Sequence, residues 1–433
     1  MLKKFGKAIL VLAYNVFLLL FVIVYTPIHL IRLCFSTKYR NSTLARLGFQ
    51  KIPDLSSYGN TYWIHSVSVG ETQVAGTLVQ ELLKRQPDAK VVISTITETG
   101  QAVAKKIPGV TDTFYYPLDF SWLANSMLKK IRPSAVFVVE TDLWFNLLNG
   151  AKKKKIPAFL VNGKISETTL KRYKQFPKLS KMLLTPFYHF FIQSEAYFER
   201  FAEAGLDKSK MTIAGNVKLD SEAPIVDYSA KKELYKSLLL DPKKPIVTVG
   251  STHAGEEELS VKVFKSLSND FPELQFLLVP RHPERFDGVA EMLKEKSVKF
   301  LRASQKNDSS KPNKFVLVDK MGVLMKLYAI SDIAVVAGSF TPHIGGHNIF
   351  EPSFYGKPFV YGPWIYKQPG FHQMNLEFNA GVQCKPEELT SELRKLLNDK
   401  SLRDEYGQRG LKALEVSKGA TDKIITEVLS EIS

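Results

Sequence analysis

Only two cysteines, Cys34 and Cys384, occur in 433 residues, which leaves no material for a disulfide framework and suits a reducing compartment. The eight histidines show no metal-ligand spacing with cysteine or acid partners, so no metal and no other cofactor is expected. Acidic residues are in the minority, 43 against 59 Lys and Arg, for a formal net charge of +16. That excess favours an anionic partner: nucleic acid, an acidic membrane face or a phosphorylated substrate. No zinc-finger spacing or basic-aromatic RNA motif is present, which sets nucleic acid aside. No internal repeat or low-complexity tract is visible. The 45% hydrophobic content supports real cores, and the length suits two ordinary domains plus an appendage.

The appendage is N-terminal. Ile9 to Ile31 is an apolar run whose main interruptions are Asn15, Thr26, Pro27 and His29. As a helix it would reach about 34 Å, enough to cross a hydrocarbon core. A cleaved signal peptide fits poorly, because the run is long and no Ala-x-Ala site follows. Lys3, Lys4 and Lys7 precede it, and Arg32, Lys38, Arg40 and Arg46 follow. The charges lean toward a cytoplasmic body. A helix lying in the interface, ended early by Pro27, is the competing expectation.

From Tyr62 short apolar strands alternate with amphipathic segments. Tyr62–Val67, Lys90–Ser94, Ala135–Val139, Ala158–Val161 and Phe190–Gln193 form a first series. Ser221 to Lys244 breaks the rhythm and reads as a connection. Ile246–Val249, Gln275–Val279, Lys314–Val318, Asp332–Ala337 and Pro358–Tyr361 form a second series, and helices from about Ser391 to Ile432 close the chain. The spacing predicts two doubly wound parallel sheets of α/β class facing across a cleft. Ligands of such sheets sit beyond the carboxyl ends of the strands. Glu71, Thr97, Glu140 and Asn162 all fall there.

The second series is organised around Ala337-Gly-Ser-Phe-Thr-Pro-His-Ile-Gly-Gly-His-Asn-Ile-Phe-Glu-Pro-Ser353. Strand, glycines and a following helix-like run predict free backbone N–H groups at a helix N-terminus, an anion site. His343, His347 and Asn348 add polar side chains there, and Glu351 is placed to hold a ribose. Ser251, Thr252 and His253 follow a glycine at a strand end, suiting phosphate contact or an ordinary cap. Arg281 and His282 stand between Pro280 and Pro283, where an arginine can grip phosphate or carboxylate in bidentate fashion. Glu71 opens a helix, as a general base or as an ordinary N-terminal acid. Glu140 places charge directly after an apolar strand, pairing with a cation or serving a site. Asp142 either shares that role or faces water. Lys218, after Gly215-Asn-Val217, is a cation near the expected cleft.

Five segments in order, His65-Ser-Val-Ser-Val-Gly-Glu71, Glu140-Thr-Asp-Leu-Trp144, Gly250-Ser-Thr-His253, Pro280-Arg-His-Pro-Glu-Arg-Phe286 and Gly345-Gly-His-Asn-Ile-Phe-Glu-Pro352, resemble those of the bacterial Kdo transferases. That family adds 3-deoxy-D-manno-octulosonic acid (Kdo) to a lipid A precursor. The resemblance implies a GT-B fold, an inverting transfer, CMP-Kdo as donor and no metal. It implies Glu71 as base toward a glucosamine primary hydroxyl, with Glu140 and Lys218 stabilising the transition state. Ser251, Thr252, Arg281, His282, Met321, Gly322, Val323, Gly345, Gly346, Asn348, Ile349, Phe350 and Glu351 then fall on the donor side, and Ser68, Gly70 and Lys164 on the acceptor side. The implied partition is an anchor over 1–33, an acceptor-binding domain over 34–222 and a CMP-sugar-binding domain over 223–433. The implied location is the anionic cytoplasmic face of the inner membrane.

Four positions depart from the family's pattern. Lys164 stands where arginine is usual, Phe145 replaces a proline, Asp142 replaces a glutamate, and Val323 replaces a glutamate in the Met321–Val323 turn. Two other functions fit parts of the sequence. One is another GT-B enzyme, either a lipid-linked glycosyltransferase using a different nucleotide sugar or a nucleotide-sugar epimerase, though an epimerase would have no evident need of an N-terminal anchor. A non-catalytic binding protein would be expected to lack the base, whereas Glu71 and Glu140 are both present.

Overall fold

The computed structural model describes residues 11–16, 18–27, 40–305 and 314–432. The chain divides into two compact units, one formed by Met1–Ser221 with Lys418–Ser433 and the other by Glu222–Ser417.

The first unit carries a seven-stranded sheet of order β3-β2-β1-β4-β5-β6-β7. Its strands are β1 (Thr61–His65), β2 (Lys90–Thr95), β3 (Asp112–Tyr115), β4 (Ala135–Val139), β5 (Ala158–Gly163), β6 (His189–Ile192) and β7 (Met211–Ile213). Every neighbouring pair is parallel. Alternate residues of one strand serve different cores. Val136 and Val138 of β4 join Trp63, Leu160 and Phe190 on one face. Ala135, Phe137 and Val139 join Ile64, Val91 and Phe159 on the other. Burial on both faces is why β4 reads as an unbroken apolar run rather than an alternating one.

The second unit repeats the plan with β8 (Ile246–Thr252), β9 (Gln275–Pro280), β10 (Leu301–Arg302), β11 (Phe315–Leu317), β12 (Ile333–Val336), β13 (Phe359–Tyr361) and β14 (Val382–Gln383), in the order β10-β11-β9-β8-β12-β13-β14. All of its pairs are parallel too. Burial of the thiol among these elements pushes Cys384 up to about 12, so it stays protonated.

Two expectations need correcting. The second domain does not run to residue 433, because helix Ala420–Ile432 packs on helix Val69–Arg85 in the first unit. Its Ala420, Ile424, Ile425 and Val428 complete a core of that unit, and Asp220 accepts from the N–H groups of Gly419 and Thr421 at its start. The glycine-rich stretch does not open an α-helix; it leads into one 3-10 turn, Pro352–Tyr355. The expected anchor, Ile9 to Ile31, lies partly outside the described residues, and among those described no helix is long and apolar enough to cross a membrane. Helical residues 11–16 and 18–27 are seen. Tyr14 donates from its hydroxyl to Asp119 at 3.2 Å, and its ring meets Phe145 edge-on at 5.0 Å. Phe145 is fully buried at the first position of helix Phe145–Lys153. Its departure from proline therefore fastens the N-terminal segment to the body.

Candidate active site

At the carboxyl end of β1 the chain turns through Ser66–Ser68 into helix Val69–Arg85. Glu71 lies in the first turn of that helix and is held by the turn itself. The Val67 N–H donates to its Oε2 at 2.7 Å, and the Ser68 hydroxyl donates to its Oε1 at 2.8 Å. A carboxylate gripped by two donors has a fixed orientation. Gly70 has open space where a Cβ would stand. His65, in contrast, is a core histidine: it is fully buried, its Nδ1 pairs with Ser94 Oγ at 2.8 Å, and burial lowers it to about 3. Thr97 caps helix Glu98–Ala104 through the Gly100 N–H at 3.1 Å.

Glu140 follows β4 directly and is only 6% exposed. Lys164 Nζ lies 2.5 Å from its Oε2 and Lys218 Nζ 2.8 Å from its Oε1. Burial works against the charge, but the two lysines outweigh it and hold the carboxyl below its ordinary range. Glu140 also has a left-handed backbone, φ 66°, which a side chain tolerates only when its surroundings impose it. Asn162, at φ 54° near the end of β5, adds a second such position. Its Oδ1 accepts the Val217 N–H at 3.1 Å and so anchors the turn that carries Lys218. The structure therefore brings Glu71, Glu140, Lys164 and Lys218 to the same edge of one sheet. Lys164 is committed to Glu140 rather than standing free.

Asp142 does not face water. It is half-buried, and burial first, then the charge of nearby Glu71, push it up to about 8. Asp119 was missed in the sequence. Buried and accepting from Tyr116, Asn146 N–H and Leu147 N–H at 2.7, 2.8 and 3.1 Å, it fixes the helix that follows Trp144. Its only signal would have been an acid between Leu118 and Phe120.

In the second unit Ser251 is buried and left-handed at φ 61°, and Thr252 is fully buried. Glu256, another residue not singled out from sequence, is 2% exposed and accepts backbone N–H bonds from His253, Gly338 and Phe340 at 3.0, 2.8 and 2.9 Å. It ties the turn after β8 to the turn after β12. The glycine-rich loop thus spends the N–H groups of Gly338 and Phe340 on an internal carboxylate. Charge comes instead from side chains. The Arg281 guanidinium is exposed, with no carboxylate partner among the described residues, whereas Arg285 pairs with buried Glu257 at 3.2 Å. His253 and His347 face each other Nε2 to Nε2 at 2.9 Å, and His282 packs edge-on against His253 at 5.3 Å. Burial first, then nearby cations (Arg285 and Arg281 for His253, Arg281 for His347), push His253 down to about 4 and His347 down to about 3.

Gly345 and Gly346, at φ 87° and 86°, are crowded by Tyr366, Lys367 and Ile365. Asn348 turns back to its own loop, its Oδ1 accepting the Phe350 N–H at 3.0 Å. Ile349 and Phe350 are wholly core residues, Phe350 against Phe359, so only their backbone is available to a ligand. Met321 is exposed, Gly322 is left-handed, and Val323 packs against the apolar layer below. Glu351 is half-buried beside Tyr328. Among the described residues no group of three or more His, Cys, Asp or Glu side chains could hold a metal ion.

A cavity of about 680 Å³ lies at the opposite edge of the first sheet, lined in part by Tyr58, Lys129, Arg132, Lys154 and Lys155. Its cations sit in or just past the last turns of two helices, where they offset the helix dipoles. It is remote from the strand ends that gather the functional groups.

Two parallel seven-stranded α/β units with polar residues gathered at their strand ends are of the GT-B fold class. The chain superposes with a TM-score of 0.63 on UDP-GlcNAc 2-epimerase from Neisseria meningitidis, at 15% identity over 86% of this chain and 100% of that one. It superposes equally, at 0.63, on a glycosyltransferase from Rickettsia africae, at 14% identity over 86% and 99%. Residues 41–221 match the model of the 3-deoxy-D-manno-octulosonic-acid transferase (kdotransferase) family. The whole chain is similar to the 3-deoxy-D-manno-octulosonic acid transferase of Chlamydia muridarum, at 32% identity over 92% of each chain. The Haemophilus influenzae enzyme of that name is also 32% identical, over 90% of this chain and 91% of its own. The chain belongs to the 3-deoxy-D-manno-octulosonic acid transferase family.

Proposed function

We propose that this chain moves Kdo from CMP-Kdo to the glucosamine primary hydroxyl of a lipid A precursor, with inversion and release of CMP, at the cytoplasmic face of the inner membrane. Glu71 takes the proton of the acceptor hydroxyl. The oxygen then attacks the anomeric carbon from the face opposite the bond to CMP, and that bond breaks with its electron pair leaving on the phosphate. Glu140, clamped by Lys164 and Lys218, holds fixed charge beside the positive character that develops on the sugar. Ser68 orients the base. Arg281 and the His253, His282 and His347 cluster receive the phosphate without a metal, with Ser251, Thr252, the 321–323 turn and the 345–351 loop shaping the nucleotide side and Glu351 holding the ribose. The excess of cations draws the protein to an anionic membrane.

One observation carries the proposal: a half-buried carboxylate aimed by its own helix turn, on the same sheet edge as a buried carboxylate between two lysines. The test is transfer of Kdo from CMP-Kdo to a purified lipid A precursor, followed by mass spectrometry, with Glu71→Ala alongside. A general base contributes roughly 10²–10⁴-fold, so the folded variant should lose at least about a hundredfold in rate. No product from folded parent protein would overturn the assignment.

A further inference from the structure

Lys218 reaches Glu140 from a 3-10 turn of only 3 residues, Val217–Leu219, which has few bonds of its own to fix it. The surroundings supply what the turn lacks. Asn162 Oδ1 accepts the Val217 N–H and Asn216 Oδ1 accepts the Lys218 N–H, each at 3.1 Å. The Ser221 hydroxyl donates to the Lys218 carbonyl at 2.7 Å. Val217 and Leu219 are buried on either side of the lysine. Val217 joins the core that Val74 and Leu78 of the Glu71 helix share with Ala420 and Ile424 of the C-terminal helix. The base and the lysine clamp therefore stand on one packed layer, which the last helix completes.

Asp220 fastens that layer. It ends the turn, its N–H donating to the Val217 carbonyl at 3.1 Å. Its Oδ1 accepts the Gly419 N–H at 2.7 Å, and its Oδ2 accepts the Thr421 N–H and hydroxyl at 2.5 Å each. Helix Ala420–Ile432 starts there, and the first N–H groups of a helix have no partner inside it. A carboxyl 199 residues before Gly419 meets that need. A second tie, from Lys423 Nζ to the Ile213 carbonyl at 2.7 Å, holds the same helix to β7. The chain leaves the first unit after Ser221 and re-enters it at Lys418, so Asp220 binds the two crossings together at the foot of the clamp. Resting on the proposed transfer, we infer that Asp220 is a positioning residue for Lys218. By capping the C-terminal helix it fixes the turn that holds the lysine on Glu140.

Asp220→Ala should lower kcat by about 10- to 100-fold, since misplacing a group by about 1 Å can cost about 100-fold, with KM for CMP-Kdo little changed. Asp220→Asn keeps a side-chain oxygen for one of the donors and should lose less. The decisive comparison is made in a Lys218→Met background. No lysine is left there to misplace, so adding Asp220→Ala should lower kcat further by less than about twofold. A loss that multiplies in full in that background, or an Asp220→Ala protein that matches the parent, would overturn the inference. Urea denaturation of the parent, the two single variants and the double variant, without substrate, separates this question from the identity of the reaction. The fall in midpoint of the double variant should be smaller than the two single falls added together, because Asp220→Ala has already loosened what Lys218→Met removes. Additive falls would refute the coupling whether or not Kdo is transferred, whereas a parent that makes no product overturns the transfer alone. If Asp220→Ala does not fold, Asp220→Asn takes its place in both comparisons, and the same outcomes decide.

Discussion

The clamp on Glu140 can be dismantled one charge at a time. With its carboxylate 6% exposed, Glu140 depends on Lys164 and Lys218 to compensate its charge. Lys164→Met or Lys218→Met alone leaves one partner in place and should cost about 1.5–3 kcal/mol, the range for one hydrogen bond to a charged group. Both together strand a buried charge, for which about 3–5 kcal/mol is expected. Adding Glu140→Gln to the double variant removes that charge and should restore most of the stability, while transfer activity stays lost. Urea denaturation followed by tryptophan fluorescence suits the question, because Trp63, Trp122 and Trp144 all belong to the first unit. The pH dependence should reverse between parent and double variant. In the parent the carboxyl is held below its ordinary value of 4.5, so its stabilisation is present above that value and fades as pH falls through the lowered one. With both lysines gone, burial raises the carboxyl instead, and stability is lost as pH rises. The deficit of the double variant should therefore widen from acid to neutral pH. A deficit under about 1 kcal/mol at neutral pH, or no recovery with Glu140→Gln, would refute the reading of the clamp as a compensated buried charge.

Two further outcomes are expected from the second unit. A Cβ at Gly250 would stand 2.2 Å from the hydroxyl of the fully buried Tyr328, so Gly250→Ala should overpack the end of β8 and cost about 1–3 kcal/mol, read as a lowered melting temperature. His253 and His347 are held neutral at pH 7 by burial and nearby cations, at about 4 and about 3. A bound phosphate raises both, so CMP binding should take up protons and weaken as pH rises, which calorimetry in buffers of different ionisation heat detects; no net uptake would count against phosphate contact at this pair.

The interior of the fold was legible because each central strand is buried on both faces. β4 and β9 declare themselves as unbroken apolar runs, and turn residues bound them. The edge strands did not declare themselves. β3 is Asp-Thr-Phe-Tyr, β10 is Leu-Arg and β14 is Val-Gln; each becomes a strand by pairing with a neighbour, which no local composition records. The site divides the same way. Glu140 was visible because charge directly after an apolar strand is uncommon. The position of Asp142 was not, since only the packing of β4 beside β1 brings it to Glu71. Glu256 was hidden for a related reason: the N–H groups it gathers at Gly338 and Phe340 lie 82 and 84 residues further along. The glycine-rich stretch was recognisable as a loop, but that a distant buried acid holds its first turn was not.

The return of helix Ala420–Ile432 to the first unit makes the second unit an insertion within the first. During synthesis helix Val69–Arg85 must therefore wait for its partner helix Ala420–Ile432 until the entire second unit has left the ribosome. A premature stop just after Ser417 would leave every residue of the second unit in place and damage the core that holds Glu71's helix. Late truncation would thus be felt first by the earliest part of the chain.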